Sequence, residues 1–198
     1  MKRIRTFSWL WIACIALLAG CSGTGELIKQ RSVSLHPDVY REVQDKTPVP
    51  SGYADLRISF SVKTHMSSFH VLENGTKGTP DYVVVLNIDG QAEKLKGAMT
   101  EENTLDERPR TPETGNGIRY RFRKDLRLTA GNHKVFVAVP DDDVAVEVEI
   151  RLEDGTRSGL VLEPVYATGV REKHFGTRGP NFCSHLSGIR MLMNGKPL

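Results

Sequence analysis

Arg119, Arg121 and Arg123 alternate along the chain, and Arg127 follows on the same parity. In an extended strand such positions share one face and stand about 7 Å apart, two steps of roughly 3.3 Å each. Guanidinium groups on one face are suited to anions, because their planar forks match phosphate and carboxylate oxygens. Phosphates of lipid headgroups and acidic polysaccharides are the matching chemistry. A charged row is also the ordinary outer face of a half-buried strand. On that reading the arginines pair across strands with Glu147, Glu149 or Glu163.

Other groups carry less. Asp141, Asp142 and Asp143 offer carboxylate oxygen to a hard cation, but three successive turn residues cannot converge on one ion. They read as a solvated corner. His65 and His70 flank Met66, at a spacing that suits neither a strand face nor a helix face. Cys183 lies near His185 and His174 without a catalytic spacing, and it reads as a small apolar core residue. The nucleophile elbow, zinc-protease, phosphate-loop and dinucleotide fingerprints are absent from the sequence. The expectation is a non-enzymatic protein with no metal and no cofactor.

The N-terminus is the most specific signal. Lys2, Arg3 and Arg5 precede an apolar run from Phe7 to Leu18, which ends in Leu18-Ala19-Gly20-Cys21. Basic, apolar and small-residue regions in this order make an export signal, and the run is too short to span a bilayer. Leu18-Ala19-Gly20-Cys21 resembles the lipobox of bacterial lipoproteins. That resemblance implies diacylglyceryl attachment to Cys21, cleavage before it and acylation of the new N-terminus. Two or three acyl chains anchor a protein stably where one does not. Ser22 in place of Asp implies outer-membrane sorting if the cell is Gram-negative.

Export also reshapes the composition. The chain has 27 basic and 24 acidic side chains. The three excess positives all lie in the signal, so the mature protein is charge-balanced and lacks the basic surplus of a nucleic-acid binder. Cys14 leaves with the signal and Cys21 carries lipid, so no internal disulfide can form and the fold must rest on its core.

The elements that position these groups read as strands. Residues 21–51 are polar, with prolines at 37, 48 and 50, and read as a flexible lipidated tether. The folded domain spans 52–198. Leu56, Ile58, Phe60 and Val62 alternate with polar residues, which marks a strand with one buried face. The runs 82–88 and 134–139 are almost continuously apolar, as in strands covered on both faces. Asp89-Gly90 is a hairpin signal leading to a return strand at 91–96. Residues 98–117 are polar and read as a mobile loop. Strands follow at 118–128, 144–152, 160–166 and 189–193, with Glu153-Asp154-Gly155 as a second hairpin turn, Pro164 suggesting an edge strand and Asn194-Gly195 a last turn. About eight strands without a long helix predict an all-β, antiparallel sandwich.

Leu86-Asn87-Ile88-Asp89-Gly90, with Leu128-Thr129-Ala130-Gly131-Asn132-His133 and the apolar strand after it, resembles PEGA-type surface modules. The resemblance implies an immunoglobulin-like or transthyretin-like sandwich and no particular ligand. The function expected is that of a lipid-anchored envelope protein with a structural, assembly or accessory-subunit role, working through an envelope protein partner. A carbohydrate- or peptidoglycan-binding module is the alternative, weakened by the loss of both tryptophans with the signal. A hydrolase built from residues 167–188 is a third reading.

Overall fold

The computed structural model describes residues 23–44, 48–66, 75–105, 110–168 and 179–198. Among these residues the chain forms one short α-helix, a 3-10 turn at Pro140–Asp142 and eleven strands. They are α1 (Thr24–Arg31), β1 (Tyr40–Glu42), β2 (Tyr53–Thr64), β3 (Val83–Ile88), β4 (Gln91–Lys96), β5 (Ala98–Asn103), β6 (Asn116–Thr129), β7 (Gly131–Val139), β8 (Val144–Leu152), β9 (Arg157–Tyr166), β10 (Leu186–Met193) and β11 (Lys196–Pro197). The large sheet runs β1-β6-β2-β9-β10-β11, with β5 also on the outer edge of β6. The small sheet runs β4-β3-β7-β8. All pairs are antiparallel except β2 with β9. The expected all-β sandwich is what forms.

The alternating residues of β2 do what their period requires. Leu56, Ile58, Phe60 and Val62 are buried, and so are Ile118, Tyr120, Phe122, Leu126 and Leu128 of β6. Residues of the small sheet, including Val84, Leu86, Ile88, Val135 and Val137, close the core from the other side. Between the sheets lies a void of only about 10 Å³, too small for a ligand. At the tip of β3–β4, Asp89 and Gly90 both take positive φ, 47° and 93°, as a two-residue hairpin turn demands.

Three expectations fail, each for a long-range reason. Ala98–Asn103 is a strand, paired to β6 from Ala98↔Arg121 to Asn103↔Asn116. As an edge strand it turns one large side chain, Met99, toward the core, so its sequence shows no apolar run. Second, Glu153-Asp154-Gly155 is not a hairpin turn. It carries the chain from β8 in the small sheet to β9 in the large one, where β9 lies parallel to β2. Pro164 therefore sits in an inner strand. It is tolerated because the β2–β9 ladder ends at Phe60↔Leu162, short of the proline.

Third, the segment read as a tether is largely docked. Ile28 of α1 packs on Val85, Phe136 and Ala138, the outer face of β3 and β7. Arg31 pairs with Glu147 at 2.8 Å, and its carbonyl accepts from Asn87 Nδ2 at 2.7 Å. An eight-residue helix has little stability of its own, so these contacts hold it. They also explain why β3 and β7 are apolar on both faces. The chain then crosses β4, where Leu35 N–H donates to Gly90 O and Gln91 Oε1 accepts from the N–H groups of Val39 and Tyr40. It ends as β1 beside β6.

Tyr40 is buried in the core, and among the described residues its hydroxyl has no hydrogen-bond partner. Burial pushes that hydroxyl up to about 12, with Glu93 adding to the effect and Lys124 opposing it. The folded state therefore holds the proton more tightly than the unfolded chain, whose tyrosines titrate near 10. The resulting stabilisation is present below pH 10 and is lost as pH rises through about 12. Tyr40→Phe should raise stability by about 1 kcal/mol at pH 7, since it removes an unpartnered buried hydroxyl. It should also flatten the fall between about pH 10 and 12, as read by urea denaturation at each pH. A loss of stability at pH 7 would show that the hydroxyl is satisfied.

Candidate functional site

The four arginines of β6 do lie on one face, the outer face of the large sheet, but they are not equivalent. The cross-strand partners on β2 are Lys63 for Arg119, Ser61 for Arg121, Ser59 for Arg123 and Asp55 for Arg127. Arg127 is only 5% exposed and clamps Asp55 with Nε and Nη2 at 2.7 and 3.0 Å. Donation to the Asp55 carboxylate strengthens the hold of Arg127 on its proton. Arg119 is 12% exposed and sits between Glu102 and Glu113, at 2.7 Å from each. Burial works against its charge, and the two glutamates outweigh it. Arg123 contacts Asp125 at 3.0 Å, and Arg121 reaches Thr100 Oγ1 at 3.4 Å. Among the described residues their acidic partners include Asp55, Glu102, Glu113 and Asp125, and not Glu147 or Glu163. Glu147 belongs to the small sheet and meets Arg31, and Glu163 meets Arg190.

Behind Arg119 lies a group that the sequence concealed. Lys63 falls on the polar parity of β2, yet its side chain is fully buried. Its Nζ donates to Thr104 Oγ1, Glu113 O and Gly115 O at 3.1, 2.9 and 2.8 Å, and stands 3.5 Å from Glu102. The ammonium also lies 4.9 Å from the centre of the Phe182 ring. Tyr166 completes the cluster, donating its hydroxyl to Glu113 Oε1 at 2.7 Å and accepting from Lys63 N–H at 2.9 Å. That last bond continues the β2–β9 contact beyond the end of the ladder. Burial pulls the Lys63 ammonium below its usual range, with Glu102 opposing. Burial and the Glu113 carboxylate push the Tyr166 hydroxyl up. All three ammonium protons have acceptors and two carboxylates balance two cations, so the cluster is a lock on the β5–β6 connection and not a reactive centre. Gly117 makes room for it, because a Cβ there would stand 2.5 Å from Thr64 O and 2.7 Å from the Phe182 ring.

The remaining candidates are structural. Asp142 accepts from Lys77, Tyr82 and the Leu186 N–H, and Asp141 accepts twice from Thr76. The aspartate corner therefore ties the ends of strands together. His133 Nδ1 lies 2.6 Å from Asp89 and its Nε2 2.8 Å from Thr129 O, which fixes the β6–β7 link to the β3–β4 hairpin. His65 is buried with Nδ1 at 3.1 Å from Met66 O. Among the described residues no group of three or more His, Cys, Asp or Glu could hold a metal. Cys183 is exposed, not a core residue, in a turn capped by Asn181. Cys21, His70 and His174 lie outside the described residues. Tyr40, Tyr82, Tyr120 and Tyr166 are buried, which leaves Tyr53 as the exposed tyrosine. No family model matches the chain, no curated protein matches it, and no solved structure matches its fold.

Two substitutions test the lock. Lys63→Met keeps the stem but strands three acceptors and Glu102, and should cost about 3 kcal/mol in chemical denaturation. Gly117→Ala should cost roughly 2 kcal/mol by overpacking. A Lys63→Met protein as stable as wild type would mean that the cluster holds nothing in place.

Proposed function

We propose that the chain is a lipid-anchored protein of the bacterial cell envelope. It would be held at a membrane through Cys21 and act in envelope structure or assembly, or as an accessory subunit, through protein–protein contacts. The observation that carries this reading is Leu18-Ala19-Gly20-Cys21 at the end of a short apolar run with a basic start. The docking of α1 adds a physical consequence. Only residues 22 and 23 separate Cys21 from the start of α1, a reach of about 10 Å at full extension. The sandwich would then ride directly on the bilayer instead of swinging from a long tether. Among the described residues no helix is long and apolar enough to cross a membrane.

The module is read as an immunoglobulin-like or transthyretin-like sandwich. In support of the PEGA resemblance, its two quoted segments become neighbouring strands, paired Leu86↔Val137. Their motif residues also meet, as Asp89 and His133.

Mass spectrometry of the mature protein tests the anchor. A diacylglyceryl thioether on Cys21 as the new N-terminus is expected, and a free thiol there or an intact Met1 overturns it. Crosslinking in the native envelope tests the partner. A discrete heteromeric product is expected, and recovery of monomer alone counts against the contact role.

A further inference from the structure

We infer that the outer side of the small sheet is the face this protein lays on the bilayer, with Leu27, Val33 and Leu35 seated at the boundary between headgroups and acyl chains. The inference rests on the lipidation of Cys21 proposed for this chain, and adds to it an orientation and a contact. Leu27, Val33 and Leu35 are 38%, 60% and 75% exposed. Single exposed aliphatic side chains are ordinary on a protein surface. These three are bunched within residues 27–35, whereas the other five large apolar side chains exposed among the described residues are spread between Tyr53 and Leu198.

Local structure turns all three outward. In α1, Ile28 takes the face toward Val85, Phe136 and Ala138, and Leu27, one residue earlier, lies about 100° away from it round the helix. After the helix, Ser34 turns its hydroxyl onto the edge of β4, donating to Ala92 O and accepting from the Ala92 N–H, both at 2.8 Å. The Leu35 N–H donates to Gly90 O at 2.8 Å. The serine therefore faces the protein, and the valine and leucine on either side of it face out. That inverts the ordinary pattern of apolar inward and polar outward. Charges of both signs share this side, Lys29, Lys94 and Lys134 with Glu26, Glu147 and Glu149, so the apolar side chains carry the contact and a net charge does not.

The length of chain before α1 selects the occupant. Residues 22 and 23 alone lie between Cys21 and Thr24, a reach of about 10 Å, so acyl chains on Cys21 bring the headgroups up to the start of the helix. Three half-exposed aliphatic side chains bind a bilayer weakly by themselves, because interfacial binding scales with the apolar area buried. The anchor makes their contact intramolecular, at an effective concentration on the order of millimolar, and a weak contact is then well populated. The large sheet faces away from the membrane in this pose. Its outer face carries Val161, which is 41% exposed and pairs with Ser59.

Fluorescence quenching of the processed protein, Cys21 to Leu198, in vesicles tests it. Trp9 and Trp11 both precede Cys21, so the processed chain has no tryptophan of its own. Leu27→Trp, Leu35→Trp and, as the control on the opposite face, Val161→Trp then carry one indole each. Each protein is purified from membranes, weighed for its acyl groups, and reconstituted in phosphatidylethanolamine–phosphatidylglycerol vesicles with or without bromine on the acyl chains. Bromine is expected to quench Leu27→Trp and Leu35→Trp at least about threefold more than Val161→Trp. Val33→Asp added to Leu35→Trp should lower the quenching at least about twofold while the protein still floats with the vesicles. Acylated protein whose quenching is equal at the three positions, or unchanged by Val33→Asp, overturns the face and leaves the anchor standing. A blue-shifted indole in Leu35→Trp that bromine does not quench assigns the patch to a protein partner or a second copy, and also overturns the face alone. Protein without acyl groups overturns anchor and face together.

Discussion

The antiparallel ladder between β2 and β6 is the constraint on which the rest of the molecule depends. It runs unbroken from Tyr53↔Thr129 to Thr64↔Ile118, and it fixes which parity of each strand faces inward. A slip of one residue in β6 would carry Arg119, Arg121, Arg123 and Arg127 into an apolar core and expel Tyr120, Phe122, Leu126 and Leu128. The desolvation of even one unpaired guanidinium rules that out. The same register sets Asp55 opposite Arg127 and Lys63 opposite Arg119. Further structure follows. The buried cations at the Lys63 end need carboxylates, and those come from β5 and from the turn at Glu113, so a polar stretch with almost no apolar content is held in place as an edge strand and its return.

A second dependence runs through the small sheet. Val85, Phe136 and Ala138 face away from the main core and are nonetheless buried. A four-stranded sheet with apolar residues on both faces needs a second cover, and α1 supplies it with one large side chain, Ile28. The rest of the N-terminal segment is stitched on through hydrogen bonds to Gly90, Gln91 and Ala92. The segment passes from the outside of one sheet to the edge of the other, where β1 joins β6. It belongs to the fold, and anything fixed shortly before Thr24 is fixed close to the body of the protein.

What the sequence made legible was local. The alternation of β2, the apolar runs of β3 and β7, the Asp89-Gly90 and Asn194-Gly195 turns and the stop at Pro140 each depend on neighbouring residues, and each lies where its pattern indicates. What stayed hidden depends on pairing across the chain. Glu153-Asp154-Gly155 has the chemistry of a hairpin turn, and Gly155 does take a positive φ of 70°. Whether such a turn joins two strands of one sheet or passes between sheets is decided by β2, roughly a hundred residues earlier in the chain. Burial of Lys63 was equally invisible, because its partners are Thr104, Glu113, Gly115 and Phe182, all distant in sequence. The cover for α1 left one trace: strands read as buried on both faces beside a segment read as a tether. Those two readings were incompatible, and the helix resolves them. For the arginine row the face was legible, but its division into buried and open members was not, since that depends on where carboxylates of other strands fall.

That division sorts the cations of the outer face by what holds them. Arg119, Arg127 and Lys63 are largely removed from water and matched to acceptors, so the folded state needs them once the ladder has placed them there. Arg57, Arg123 and Arg157 are half exposed, and ion pairs at that degree of exposure contribute little to stability, at most about 1 kcal/mol each. The inner cations are fixed by burial, while on the outer face Arg57 and Arg123 share Asp125 and Arg157 joins Arg127 on Asp55, so the two aspartates tie β2, β6 and β9 together at the surface.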